Sequence, residues 1–198
     1  AQNSSLVWCP QTGAGAVIDP GGEAPRLERA VREAGVRLSC ILLTHGHIDH
    51  VGAAGALADA TGAPIWGPGM QDEFLLAELE AQAAAFGVPL ERPFVPERWL
   101  DGGERLAVGA VQLDVLHCPG HTPGHLAYHC AAGATVFTGD VLFRGSVGRT
   151  DLPGGSHKSL LHSIREKLWP LGDQTRFVPG HGPTGVLGDE RRTNPFLG

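Results

Sequence analysis

Short apolar runs separated by turn residues recur along the chain and predict alternating strands and helices. The runs at 6–9 and 16–18 predict two strands joined by a turn over 10–13. Apolar residues then recur at helical spacing behind Pro25 and stop at Gly35, which predicts a helix between them. Three further elements follow in order: a strand over 39–43, a compact helix of small residues over 52–60 and a short strand over 64–66.

The second half of the chain begins with a helical pattern and then changes to strands. Leu75, Leu79 and Phe86 fall on one face of a helix predicted over 71–86. Beyond it the alternation of apolar and polar residues, broken by glycine, is typical of strands. These strands are predicted at 106–108, 111–116, 126–130 and 135–137.

A last helix and a last strand complete the pattern. Ser156 is a residue type that caps helices, and Leu160, Ile164 and Leu168 follow at helical spacing. Residues 176–178 predict the final strand. Because strands alternate with helices in both halves, we expect an α+β fold in which two sheets pack together with helices outside. The length of 198 residues suits one domain over 1–198.

The charge and composition of the chain argue against two classes of binding partner, nucleic acids and membranes. The formal net charge is −6 and the basic residues are scattered, so we expect no nucleic-acid partner. The sequence has no apolar run of membrane-spanning length, so we expect no membrane segment. Four cysteines without C-x-x-C spacing are typical of reduced thiols. With no signal peptide visible, the expected location is cytoplasmic.

Candidate chemistry is concentrated where the strand over 39–43 ends. Residues 44–50, here called the histidine loop, have the sequence THGHIDH. Imidazole and carboxylate are ligands that zinc and non-haem iron prefer. A solvated turn needs Gly, Asn or Asp and has no use for three imidazoles. The segment therefore predicts a metal-binding loop.

Three other predicted strands also lead to a histidine or an aspartate. The strand over 111–116 leads to His121, the strand over 135–137 to Asp140, and the last strand to His181. Neighbouring glycines let the backbone turn sharply, so that these side chains can face a crowded centre. We expect the strand ends to meet at one edge of the sheets. That would bring together five histidines and two aspartates, enough for two metals bridged by a carboxylate and a water.

The order of these motifs resembles the metallo-β-lactamase superfamily and its four-layer αββα sandwich. The shared pattern is T-H-x-H-x-D-H, a distant histidine, an aspartate and a glycine–histidine pair near the end. The resemblance runs from about Leu6 to Phe196. Within the superfamily, GSVGRTD at 145–151 and the tail over 190–196 resemble the short glyoxalase II-like, or hydroxyacylglutathione hydrolase-like, hydrolases. We expect a single domain over 1–198, without the separate C-terminal helical domain of the classical enzyme.

The resemblance implies a site for two divalent metal ions. Zinc is the expected metal, and iron and manganese also accept this ligand set. Asp140 would bridge the two ions, and Asp140 and Asp49 are the candidate catalytic carboxylates. The implied ligands are His45, His47 and His121 for the first metal and Asp49, His50 and His181 for the second.

Basic residues near the site are candidates for substrate binding. Arg149 matches a basic residue that the glyoxalase II family uses for the glutathione part of its substrate. Arg192, with Arg191 as the alternative, matches basic residues from that family's C-terminal region. Arg144 lies in a glycine-rich loop close in sequence to Asp140, which favours contact with an anionic substrate.

The activity implied is hydrolysis of a thioester such as S-lactoylglutathione to a hydroxy acid and glutathione, through a hydroxide that bridges the metals. An aspartate at 140, where antibiotic-degrading enzymes with two zinc sites commonly have cysteine, argues against a true β-lactamase. Two alternatives remain within the superfamily. One is a persulfide dioxygenase with a single iron held by His45, His121 and Asp140. The other is a lactonase that shares the whole ligand set.

Two residues near the motifs have two interpretations each. His125 follows the HTPG sequence at 121–124 and either orients a metal ligand or caps a strand. Asp19 follows a strand and precedes Pro-Gly-Gly, so it either forms a turn or accepts a hydrogen bond from a ligand histidine.

Overall fold

Two β-sheets lie face to face, with helices on both outer surfaces, in a computed structural model that describes residues 2–197. The first sheet has the strand order β1-β2-β3-β4. Its β1–β2 pair is antiparallel, and the other two pairs are parallel. The strands are β1 (Ser5–Trp8), β2 (Ala14–Ile18), β3 (Arg37–Leu42) and β4 (Ile65–Trp66).

The second sheet has the strand order β12-β11-β8-β7-β6-β5, and only its β8–β11 pair is parallel. Strands β9 (Leu142–Phe143) and β10 (Ser146–Val147) form a separate two-stranded ribbon. The six strands of the second sheet are β5 (Arg105–Val108), β6 (Val111–His117), β7 (Leu126–Cys130), β8 (Thr135–Gly139), β11 (Arg176–Pro179) and β12 (Gly185–Val186).

Three separate hydrophobic clusters show that the molecule has four layers. In the first, Val31 and Leu57 of the outer helices pack on the first sheet. In the second, Leu42 and Leu113 meet between the two sheets. In the third, Leu160 packs a helix onto the second sheet. The helices are α1 (Ala24–Glu33), α2 (Ile48–Val51), α3 (Ala54–Thr61), α4 (Glu73–Ala77), α5 (Leu79–Phe86), α6 (His157–Ser163) and α7 (Leu187–Thr193).

The expected α+β sandwich is confirmed, and the predicted strands lie within two residues of the observed ones. The helix expected over 71–86 is instead a 3₁₀ turn, Met70–Asp72, followed by α4 and α5. The helix is interrupted at Glu78. The side-chain amide of Gln82 in α5 donates to the Leu75 carbonyl oxygen in α4 at 2.8 Å. Strands β9, β10 and β12 and helices α2 and α7 were not predicted: the first four have only two to four residues each, and α7 is mostly polar and shows no apolar periodicity.

Two other expectations concern the whole chain. All four cysteines are free, as their spacing predicted. Within residues 2–197, no helix has the length and apolar character that crossing a membrane requires.

Candidate metal centre

The strand ends meet at one edge of the sandwich, as the glycine-flanked motifs predicted. Because β8 and β11 run parallel, their C-terminal ends are neighbours, with Gly139 beside Pro179. The histidine loop leaves β3 of the facing sheet. The Leu126 amide at the start of β7 donates to the Thr44 carbonyl oxygen at 2.7 Å, which joins that loop to the second sheet. Parallel pairing and this contact between sheets therefore bring together residues that are more than 130 positions apart.

Two groups of potential metal ligands face each other at this edge. In the first group, His47 Nδ1 lies 3.0 Å from His121 Nε2, and the His45 ring is 4.9 Å from that of His121 between centroids. The ligand atoms within each group lie within 4.8 Å of one another. The first group is His45, His47 and His121, and the second is Asp49, His50 and His181; a third set of equally close atoms, from Asp19, His45 and His50, overlaps both.

Contacts within the second group, and with the aspartate between the groups, are equally close. His181 Nε2 lies 3.0 Å from Asp49 Oδ2 and 3.3 Å from His50 Nε2. One Asp140 oxygen is 3.3 Å from His50 Nε2. The other is 3.6 Å from Nε2 of both His121 and His181. The structure thus brings all seven predicted ligands together, with Asp140 in the middle.

The outward ring nitrogens are held in a way that turns the other nitrogens toward the centre. His50 Nδ1 is 2.8 Å from Asp19 Oδ2, and His121 Nδ1 is 2.7 Å from the Arg149 carbonyl oxygen. His45 Nδ1 is 3.0 Å from the hydroxyl of its neighbour. Metal-binding histidines are characteristically held in this way through the second nitrogen. In residues 2–197, the buried His45 Nε2 has no hydrogen-bond partner, which fits a metal ligand.

The electrostatics also suit a cation. Burial, and then the neighbouring His121, lower the pKa of His47 to about 4, so this imidazole is neutral at pH 7. Burial alone raises the pKa of Asp140, but the charge of His50 and its hydrogen bond outweigh burial and hold that pKa well below its usual range. Burial in turn lowers the pKa of His50, but Asp140 and Asp19 outweigh it and raise that pKa well above its usual range, so this imidazole must release its proton when a metal binds. Neutral imidazole and ionised carboxylate are the protonation states that bind metal ions.

Glycine allows the backbone to come this close to the centre. A Cβ atom at Gly180 would lie 2.2 Å from Asp140 Oδ1 and 2.4 Å from His50 Cε1. Gly139 has a φ of +48°, and a Cβ there would lie 2.6 Å from Thr44 Oγ1. Space therefore requires glycine at both positions, and at Gly139 the backbone conformation favours glycine as well.

The structure distinguishes between the two interpretations of Asp19 and of His125. Asp19 accepts from the Thr44 amide at 2.7 Å and contacts His50 Nδ1, so it holds a potential ligand histidine. His125 Nε2 accepts from the Asp140 amide at 3.0 Å, and its ring stacks on that of His45 at 4.8 Å between centroids. Both residues therefore support potential ligands from behind.

A cavity of about 470 Å³ opens directly onto the two ligand groups. Arg149 lines it, while its guanidinium donates to both oxygens of Asp151 at 2.8 and 2.7 Å. Arg144 is exposed and Arg192 pairs with Asp189, and neither is among the described residues that line this cavity. The apolar part of the lining consists of Ile48, Phe86, Val88, Phe143, Val147 and Leu152.

Sequence reasoning missed several residues that hold the site together. Gln2 and Asn3 contact the loop that carries His181. The Asn3 backbone amide donates to the Gly180 carbonyl oxygen at 2.7 Å, and Gln2 forms a β-bridge with His181. Asp72 is fully buried beneath the histidine loop. No spacing pattern could have identified these residues, because their partners are distant in the sequence.

The fold and the site define a class of protein. Residues 1–181 match the Metallo-beta-lactamase superfamily. The chain belongs to this superfamily and is a metal-dependent hydrolase.

Individual relatives agree with this class. The chain is similar to Hydroxyacylglutathione hydrolase GloC of Haemophilus influenzae, with 47% identity over 99% of this chain and 92% of that protein. It is similar to the crystal structure of TTHA1623 in a di-iron-bound form, with a TM-score of 0.90 and 44% identity over 99% and 95% of the two chains. ETHE1 from Myxococcus xanthus has a TM-score of 0.79 and 27% identity, over 98% of this chain and 82% of that chain.

Proposed function

We propose that this protein hydrolyses a thioester of the S-lactoylglutathione type to a hydroxy acid and glutathione. The observation that carries the proposal is the pair of ligand groups, with Asp140 between them, at the base of a cavity lined by Arg149. The 47% identity to Hydroxyacylglutathione hydrolase GloC supports the choice of substrate.

In this proposal the two groups would hold one divalent metal ion each, and Asp140, which lies between the groups, would be a ligand of both. Ions bound there supply a hydroxide nucleophile near neutral pH and polarise the substrate carbonyl. A metal pair fits the site because the His45 nitrogen is unpartnered and the other ligand nitrogens converge. The first ion is assigned to His45, His47 and His121, and the second to Asp49, His50 and His181.

The chain's own residues orient the substrate and the attacking water. Asp49 is half-buried where the cavity meets a second one of about 670 Å³, so its carboxylate can steer the water toward the carbonyl carbon. The Arg149 guanidinium binds a substrate carboxylate and gives up its ion pair with Asp151 to do so. The departing thiolate is stable near neutral pH, so no strong general acid is required.

The decisive experiment measures metal content alongside hydrolysis of S-lactoylglutathione. The expected result is two ions per chain and a thioesterase rate that a chelator abolishes and added zinc, iron or manganese restores. A chain that carries two ions and leaves S-lactoylglutathione and other thioesters intact would contradict the proposal. An acyl-homoserine lactone in the same assay tests the lactonase alternative.

A persulfide dioxygenase with mononuclear iron is the second candidate. His45, His121 and Asp140, the set it needs, lie close together, and the similarity to ETHE1 is compatible with it. Oxygen uptake with glutathione persulfide, measured with an oxygen electrode, separates the two candidates. One iron per chain together with oxygen uptake would favour the dioxygenase and overturn the hydrolase proposal.

A further inference from the structure

Asp72 is a fully buried carboxylate that lies outside both ligand groups. It occupies the residue just before α4, where an aspartate ordinarily accepts a hydrogen bond from the first turn of its own helix. Its side chain makes no such capping bond. Burying a carboxylate is costly unless it is hydrogen-bonded, so its partners indicate what it is for.

The partners of Asp72 lie in the two loops that carry the first ligand group. One oxygen, Oδ2, accepts from the Gly46 amide at 3.0 Å and from the Thr122 hydroxyl at 2.7 Å. The other, Oδ1, accepts from the Gly124 amide at 2.5 Å. Gly46 lies between His45 and His47, and Thr122 directly follows His121. A single oxygen atom therefore joins the histidine loop to the turn over 121–124.

The backbone on both sides is shaped to admit this carboxylate. A Cβ atom at Gly124 would lie 2.8 Å from Asp72 Cγ and 2.7 Å from Asp72 N. A Cβ at Gly46 would lie 3.5 Å from Asp72 Cβ and 2.8 Å from Leu75 Cβ. Glycine thus lets the segment that carries Asp72 approach both loops.

We propose that Asp72 is a positioning residue for the first metal group, and that it sets the separation of His47 and His121. The inference rests on the assignment of two metals in the proposed function. Asp19 has the corresponding place in the second group, where it contacts His50 directly. The hydrogen bonds that Asp72 accepts come from Gly46, Thr122 and Gly124, and none of them involves the second group.

The test isolates one metal group at a time. A His181→Ala variant disables the second group, and a His121→Ala variant disables the first. Asp72→Asn is then added to each, and the affinity for zinc is measured by competition with a chelator of known strength. Asn cannot accept at both of the oxygen positions that Asp72 uses. We expect a roughly 10- to 100-fold loss of zinc affinity in the His181→Ala background and none in the His121→Ala background.

Two further sets of variants separate positioning from general stability. Glu190 is another buried carboxylate, and it accepts from the Gly145 amide at 2.8 Å and the Asn194 side chain at 2.9 Å, not from the loops that Asp72 joins. Glu190→Gln is expected to lower stability without changing either zinc affinity. Thr122→Val removes one of the bonds to Asp72 and is expected to weaken the first site, whereas Thr122→Ser keeps the hydroxyl and restores it. If Asp72→Asn does not fold, the zinc affinities of the two Thr122 variants test the positioning role of Asp72 instead.

Equal weakening of zinc binding in both backgrounds would overturn the inference and leave Asp72 a purely structural residue. So would a Thr122→Val variant that binds zinc as tightly as the Thr122→Ser variant. A wild-type chain that binds fewer than two zinc ions would instead contradict the two-metal assignment in the proposed function, and the inference falls with it.

Discussion

At the scale of single residues, the proposed metal ligands are oriented by the ring nitrogens that point away from the candidate metal centre. The outward nitrogens of His50 and His121 contact Asp19 and a backbone carbonyl oxygen, and these contacts fix which nitrogen faces inward. The residue types of the proposed ligands could be predicted from the sequence, because imidazoles and carboxylates at this density have few other uses. The supporting contacts could not be predicted in this way, because a single aspartate in a sequence is compatible with many roles.

Asp140→Asn is expected to lower thioesterase activity by roughly 100-fold or more, with loss of bound metal. An amide is neutral and cannot bridge two cations as a carboxylate does. Metal content and rate are measured on the same preparation, with Asp173→Asn, an exposed pairing residue, as the control. Full metal content together with a full rate would show that the bridging role is wrong.

Phe86→Ala is expected to raise KM roughly tenfold while the free energy of unfolding stays nearly constant. Phe86 lines the cavity, yet its side chain is 62% exposed, so it contributes little to the core. Phe196→Ala is the matched control, because Phe196 is 52% exposed and is not among the residues that line this cavity. Equal KM values for the two variants would remove Phe86 from the substrate site.

At the scale of elements, local pattern predicted the strands well and the helices less well. Strand alternation is a property of neighbouring residues, so β6 and β7 appear where the sequence places them. The helix over 71–86 is interrupted because Gln82 bonds both to the Leu75 carbonyl oxygen and to the histidine loop, where it accepts from the Ile48 amide at 3.0 Å. Tertiary contacts of this kind override helical propensity.

Gly120→Ala is expected to cost about 1–3 kcal/mol more stability than Gly103→Ala. Both glycines have positive φ, +144° and +95°, so both variants strain the backbone. A Cβ at Gly120 would also lie 2.3 Å from the Leu160 amide nitrogen in α6, whereas nothing lies within 4 Å of one at Gly103. Urea unfolding of the two variants measures the difference. Equal costs would show that the packing of this turn on α6 contributes nothing.

At the scale of the whole molecule, the four layers serve to bring distant strand ends to one edge. Each interface between layers has its own hydrophobic cluster, so the sheets are held in register independently of the site. The site itself contains crowded imidazoles and a buried nitrogen without a partner, an arrangement that costs stability unless a cation is present.

Removal of metal is therefore expected to destabilise the fold. At a free zinc concentration about 1,000 times the Kd, each bound ion contributes about 4 kcal/mol, equivalent to a Tm higher by roughly 8–16 °C per site. Calorimetry with zinc and with excess chelator measures the shift. A His121→Ala/His181→Ala double variant, which lacks one ligand of each group, should show little shift. A wild-type Tm that is the same in both conditions would contradict the metal assignment.

The sequence by itself determined the succession of elements and the chemical types of the seven proposed ligands. Both are local properties: periodicity involves neighbours, and each ligand follows the end of a predicted strand. Only the tertiary structure decided which atoms converge, that Arg149 rather than Arg192 reaches the cavity, and that Asp19 and Asp72 lie behind the ligands. Those outcomes depend on distances between residues far apart along the chain, which are set by the packing of the two sheets and their helices.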